Sequence, residues 1–182
     1  DLRLAFGRLL AALGANERAE KEHLDTAELS LSQGWTETAC AALALASHAA
    51  QARGDRASSG RAWHQCRNAM ESWPMNRPGE RCGILVDAVG DPLVAVQVLS
   101  ALAEVLVDGV EEDHSRAPII REIISRASEQ ASRCVSPPQG AVESLARVEE
   151  RIAPYGRGRG GRRRPGSTTT ITTDGQAAAG GK

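Results

Sequence analysis

The chain has 182 residues, 41% of them apolar and only 3% aromatic, with a formal net charge of −1 at pH 7. That near-neutral total conceals a split: residues 1–154 carry 16 basic and 22 acidic side chains, net −6, whereas residues 155–182 carry six basic and one acidic, net +5. The composition argues against a disulfide scaffold, because the four cysteines at 40, 66, 82 and 134 are sparse and never spaced Cys-x-x-Cys, so reduced thiols and a cytoplasmic location are expected.

About 150 residues remain for a packed body, enough for one domain with a sizeable core. With so few aromatic residues that core must be built from Leu, Val, Ile and Ala. Residues 1–14 read as an amphipathic helix, since Arg3 and Arg8 interrupt what would otherwise resemble a signal-peptide core. Gly14, Gly34 and Gly54 fall twenty residues apart, each closing a helical pattern where a left-handed residue is favoured.

The second helix starts after Asn16 as N-cap, with Leu24, Ala27 and Leu31 as its inward stripe and Glu17 paired to Lys21. The third, Thr36 to Arg53, is apolar nearly all round and so belongs inside a bundle. The fourth, Ala57 to Trp73, aligns Ala62, Cys66, Ala69, Met70 and Trp73 on one face before Pro74 ends it. Residues 73–81 read as a linker through Pro74, Pro78 and Gly79, with a break near 74–81, and a short helix follows over 82–89.

Asp91 and Pro92 are an N-cap and an N1 proline, opening a Val/Leu-rich helix to Val107. That run is sixteen residues long and broken by Gln97 and Glu104, short of the roughly 20 a membrane crossing requires, so no membrane contact is expected. A further start at Ser115 places Ile120, Ile124, Ala127, Ala131 and Cys134 on one stripe. After Pro137 and Pro138 a last helix turns Val142, Leu145, Val148 and Ile152 inward and pairs Glu143 with Arg147 outside.

The reading is therefore all-α: a single bundle of seven or eight helices over 1–153, followed by a disordered, basic, low-complexity tail over 154–182. A helical-hairpin repeat is the competing architecture. Gly54, Ala62, Ala69 and Pro74 resemble the second half of a tetratricopeptide unit, but the first half lacks the pattern and no second copy follows.

Candidate chemistry is thin. His64 and Cys66 are two apart, which puts them on opposite sides of a helix and unsuited to clasp one metal ion. Glu111, Glu112, Asp113 and His114 form an acid/base cluster, but acids just before a helix start also favour its positive end, and that is the reading adopted. Gly156, Gly158 and Gly161 spell a dinucleotide fingerprint that lacks the strand and helix it needs. No catalytic residue, metal or cofactor is assigned.

The residues assigned a role are Arg157, Arg159, Arg162, Arg163 and Arg164, in a glycine-rich segment resembling the RGG-type tails of nucleic-acid-binding proteins over about ten residues. Guanidinium groups fork onto phosphates and stack on bases while glycine lets the backbone follow a strand. Twenty arginines against two lysines in the whole chain make an arginine-rich tail less diagnostic than it would otherwise be. The expected function is a non-enzymatic accessory or adaptor protein. Its helical body would bind a protein partner or a second copy, and its tail would bind RNA or DNA without sequence preference. A scaffold with a passive tail is the second reading, and an enzyme with an undisplayed active site the third.

Overall fold

Three left-handed glycines punctuate the first half of the fold: Gly14, Gly34 and Gly54 have φ of +76°, +73° and +81°, and each ends a helix as predicted. The structure, a computed structural model, describes residues 2–155. Among them are eight α-helices and no strand: α1 (Leu2–Ala12), α2 (Asn16–Ser32), α3 (Thr36–Ala52), α4 (Arg56–Glu71), α5 (Pro78–Val89), α6 (Pro92–Val107), α7 (Arg116–Ser132) and α8 (Gln139–Ile152), with a 3₁₀ turn over Ala153–Tyr155. The all-α architecture is as read from the sequence. None of the described helices is long and apolar enough to cross a membrane.

Helix starts follow local chemistry in two cases. The Asp55 carboxylate accepts from the Ser58 N–H at 2.9 Å to open α4, and Asp91 accepts from the Leu93 and Val94 N–H groups at 2.8 and 3.2 Å to open α6. Two other starts differ from expectation. Asn16 is already helical and Ala15 holds the N-cap position without a side-chain bond. Helix α5 begins at Pro78, not near residue 82, because proline at N1 forfeits no hydrogen bond there. Only residues 72–77 are then irregular.

Helices α3 and α6 are the buried axes. Helix α3 packs against α2, α4 and α5, and α6 against α7, α8, α4 and α5, with α3 and α6 also touching. Contacts mostly join helices one or two apart in sequence, as when helical hairpins are layered. Alanine lets this happen: Ala39, Ala41, Ala42, Ala46 and Ala50 of α3 are all solvent-inaccessible, so its neighbours approach closely. Leu85, Val98, Leu99, Leu102, Ile120 and Ile123 fill the space between α5, α6 and α7.

Two predicted stripes are corrected. In α8, Leu145, Val148 and Ile152 are buried but Val142 is exposed, because the side turned to α6 in the first turn is that of Ala141, whose carbonyl accepts from Ser100. Glu143 accepts from Gln139, one turn earlier, at 3.0 Å instead of pairing with Arg147. In α2 the buried side is Ala19, Glu20, His23, Thr26, Ala27 and Ser30, largely polar, while Leu31 is 50% exposed.

Candidate functional site

The leucines that α2 withholds from the core line a groove. Helices α2 and α4 both pack on α3 and leave between them a trough of about 720 Å³, floored by Leu43 and walled by Leu24, Ala27 and Leu31 from α2 and Ala62 and Ala69 from α4. Glu28, Arg61, Gln65 and Asn68 stand on its rim. Apolar in the middle and polar at the edge, a trough of this kind suits the apolar stripe of a helix laid into it.

Two ion pairs with buried carboxylates hold the helices of this half together. Glu20 of α2, nearly inaccessible, accepts from Arg53 Nε at 3.0 Å, and Arg53 also reaches Asp55 at 3.1 Å, so the loop after α3 is clamped to α2. Glu37, buried in the first turn of α3, is paired with Arg81 of α5, and Arg81 in addition donates to the Asn76 carbonyl at 2.9 Å. A hydrogen bond from the Ser58 N–H and one from its hydroxyl hold the exposed Asp55 carboxyl below its ordinary pKa.

A second cleft, about 810 Å³, lies between α3, α4, α6 and α8 and is polar. Its groups are bound to one another. The Ser47 and Ser59 hydroxyls are 3.0 Å apart, Ser100 donates to the Ala141 carbonyl at 3.1 Å, and Glu104 accepts from Arg67 at 2.8 Å and from Ser144. Burial works to raise the Glu104 pKa, but the bonds from Ser144 and Arg67 outweigh it and hold the carboxyl below its usual value. An ionised carboxylate with a hydrogen bond on each oxygen fastens helices together and makes a poor general base.

The other sequence candidates resolve as structural parts. Cys66 is buried while His64 is exposed and bonded to Asn68 at 3.2 Å, the opposite-face placement expected. Cys40 and Cys66 meet across the α3–α4 contact, where the Cys66 thiol donates to the Cys40 carbonyl at 3.4 Å, a juxtaposition the spacing did not reveal. The hydrogen bond with Cys40 and burial push the Cys66 thiol well up, and burial pushes Cys82 up to about 12, so both stay protonated. Among the described residues no group of three or more His, Cys, Asp and Glu could hold a metal ion.

The acidic connector is a helix start. Asp113 accepts from the Ser115 hydroxyl at 2.6 Å and its N–H at 3.0 Å, which lowers its pKa. His114 beside it packs on Tyr155, ring centres 4.7 Å apart, and this contact anchors the end of the described chain. Arg157, Arg159, Arg162, Arg163 and Arg164 follow at once but lie outside the described residues. Comparison with family models, curated proteins and solved structures finds no match.

Proposed function

We propose that this protein is a non-enzymatic helical adaptor: the α2/α4 groove receives an amphipathic helix of a protein partner, and the arginines of residues 157–164 hold the assembly on nucleic acid. The groove carries the reading. Half-exposed Leu31 and partly buried Leu24 of α2 line an open trough floored by Leu43 of α3, and that arrangement supports recognition of an apolar helix stripe. The five arginines within eight residues, attached to a body of opposite charge, supply a polyanion-seeking element with little base readout.

Two measurements test it. Fluorescence anisotropy on a labelled single-stranded oligonucleotide, titrated with salt, compares the native chain with one carrying all five arginines as glutamine. Equal binding by both, or binding indifferent to salt, rules out the tether. Selection from a displayed library of helical peptides probes the groove: amphipathic winners whose binding is lost in Leu31→Asp support it, and winners indifferent to that change refute it.

A further inference from the structure

Two of the four cysteines face each other across the α3–α4 contact. The two helices run antiparallel about the turn at Arg53, so Cys40 and Cys66, 26 residues apart, stand opposite one another, as do Ser47 and Ser59, 12 apart. The serine pair shows what this register does: the Ser47 hydroxyl donates to the Ser59 carbonyl at 3.0 Å, and the two hydroxyl oxygens are 3.0 Å apart. One heptad further from the turn the cysteines repeat the arrangement with sulfur. The Cys66 thiol donates to the Cys40 carbonyl at 3.4 Å, the Cys40 thiol reaches the Cys66 carbonyl at 4.0 Å, and the two thiols bond to each other. Ala62 and Ala69, one turn to either side of Cys66, are buried and small, so the backbones come close.

Both cysteines are solvent-inaccessible, so an oxidant reaches them only when a helix lifts. Helix α4 is the one placed to do so. It rests mainly on α3 and meets α6 more lightly, with the apolar groove along one of its sides and the polar cleft along the other. Gly60 lies within it, and a Cβ there would meet nothing within 4 Å, so the glycine weakens the helix without serving a close contact. Few packed neighbours and a glycine inside the helix are what mark a segment that opens locally.

We infer that Cys40 and Cys66 are a redox pair, joined on oxidation in a disulfide that locks α4 onto α3. With hydrogen peroxide as oxidant, one thiol gives up its proton, attacks a peroxide oxygen and becomes a sulfenic acid, and the hydroxide released takes that proton to form water. The other thiol then attacks the sulfenic sulfur, closes the S–S bond and expels a second water. Two electrons pass from the sulfurs to the peroxide. Burial holds the Cys66 thiol protonated, so the reaction is slow in the closed fold and its rate follows the opening of α4. Because α4 is one wall of the α2/α4 groove, the bond fixes that wall to the floor beneath it, a consequence that rests on the adaptor reading while the bond itself does not.

The test treats the full chain with excess hydrogen peroxide, isolates the monomer and digests it with trypsin without reduction. The expected product is residues 22–53 joined to residues 62–67, lighter by two hydrogens than the sum of the two peptides. Cys40 and Cys66 recovered as thiols, or either one joined to Cys82 or Cys134, overturns the inference. The oxidised chain should unfold about 5–10 °C above the reduced one in thermal circular dichroism, since the bond closes a loop of 26 residues. A melting point that does not rise overturns the lock. Cys40→Ala should show no such rise on the same treatment, and Cys66→Ala replaces it should that variant fail to fold. Gly60→Ala should slow disulfide formation roughly two- to fivefold by firming α4, and an unchanged rate overturns the opening route.

Discussion

Gly7 lies against the imidazole of His23, so closely that a Cβ on Gly7 would stand 2.4 Å from His23 Cε1. The α1–α2 contact is thus set by a missing methyl group, and the ring fills the room it leaves.

Gly7→Ala should force the two helices apart. Overpacking of this kind costs about 1–3 kcal/mol, offset in part by the roughly 1 kcal/mol alanine contributes as a helix former. Gly60 of α4 provides the control, because a Cβ there meets nothing within 4 Å. Urea denaturation should find Gly7→Ala less stable than the native chain and Gly60→Ala more stable by about 0.5–1 kcal/mol.

His23 is 1% exposed, and burial, then the Arg8 guanidinium, lower its pKa to about 4. The folded state holds the ring neutral while the unfolded chain protonates it near the ordinary 6.5. Its contribution is therefore complete above pH 6.5 and is lost as pH falls from 6.5 to 4, by up to about 3 kcal/mol. Carboxylates whose pKa is depressed, Asp113 and Glu104, lose theirs only at lower pH, below their ordinary values. Denaturation midpoints measured between pH 7 and 4 should slope downward for the native chain and flatten in His23→Gln.

Removing Arg81 leaves the Glu37 carboxylate buried without its cation. Arg81→Met should cost about 3 kcal/mol, at the low end for such pairs because Glu37 also sits at the positive end of α3. Adding Glu37→Gln should restore most of the loss, and a double-mutant cycle in thermal unfolding measures the coupling.

The five-arginine tether makes a quantitative expectation. If all five engage phosphates of a single strand, log K falls with log salt at a slope of about −3.5, and the slope approaches zero when the five become glutamine. Truncation should follow Tyr155, since a shorter cut removes the ring that packs on His114.

Leu31→Asp changes a half-exposed groove residue, so stability should stay within about 0.5 kcal/mol while a groove-bound helical peptide loses at least roughly tenfold in affinity. Calorimetric titration of a selected peptide measures the second effect and circular dichroism the first.

Most of the fold was legible in the sequence because its signals are short-range. Glycine at C′, Asp91 as a cap, proline at N1 and the stripe from Ala62 to Trp73 act within one or two turns, and each stands where it was read. The groove was not legible. Leu24 and Leu31 carry the strongest apolar signal in α2, yet the helix buries Glu20, His23, Thr26 and Ser30, because Arg53, thirty-three residues away, compensates Glu20, and Gly7 makes room for the ring of His23.

Composition and periodicity by themselves determined an all-α chain of seven or eight helices, most of their approximate ends, and a concentrated run of arginines after an acidic body. Only the tertiary structure decided which apolar stripes became core. The apolar residues of α1 spread over more than half of its circumference, and periodicity alone does not say which of them are covered. Contacts with α2 and α3 took Leu4, Gly7 and Leu10 and left Leu2, Phe6, Leu9 and Leu13 exposed, a choice made by residues far along the chain and not by the local pattern.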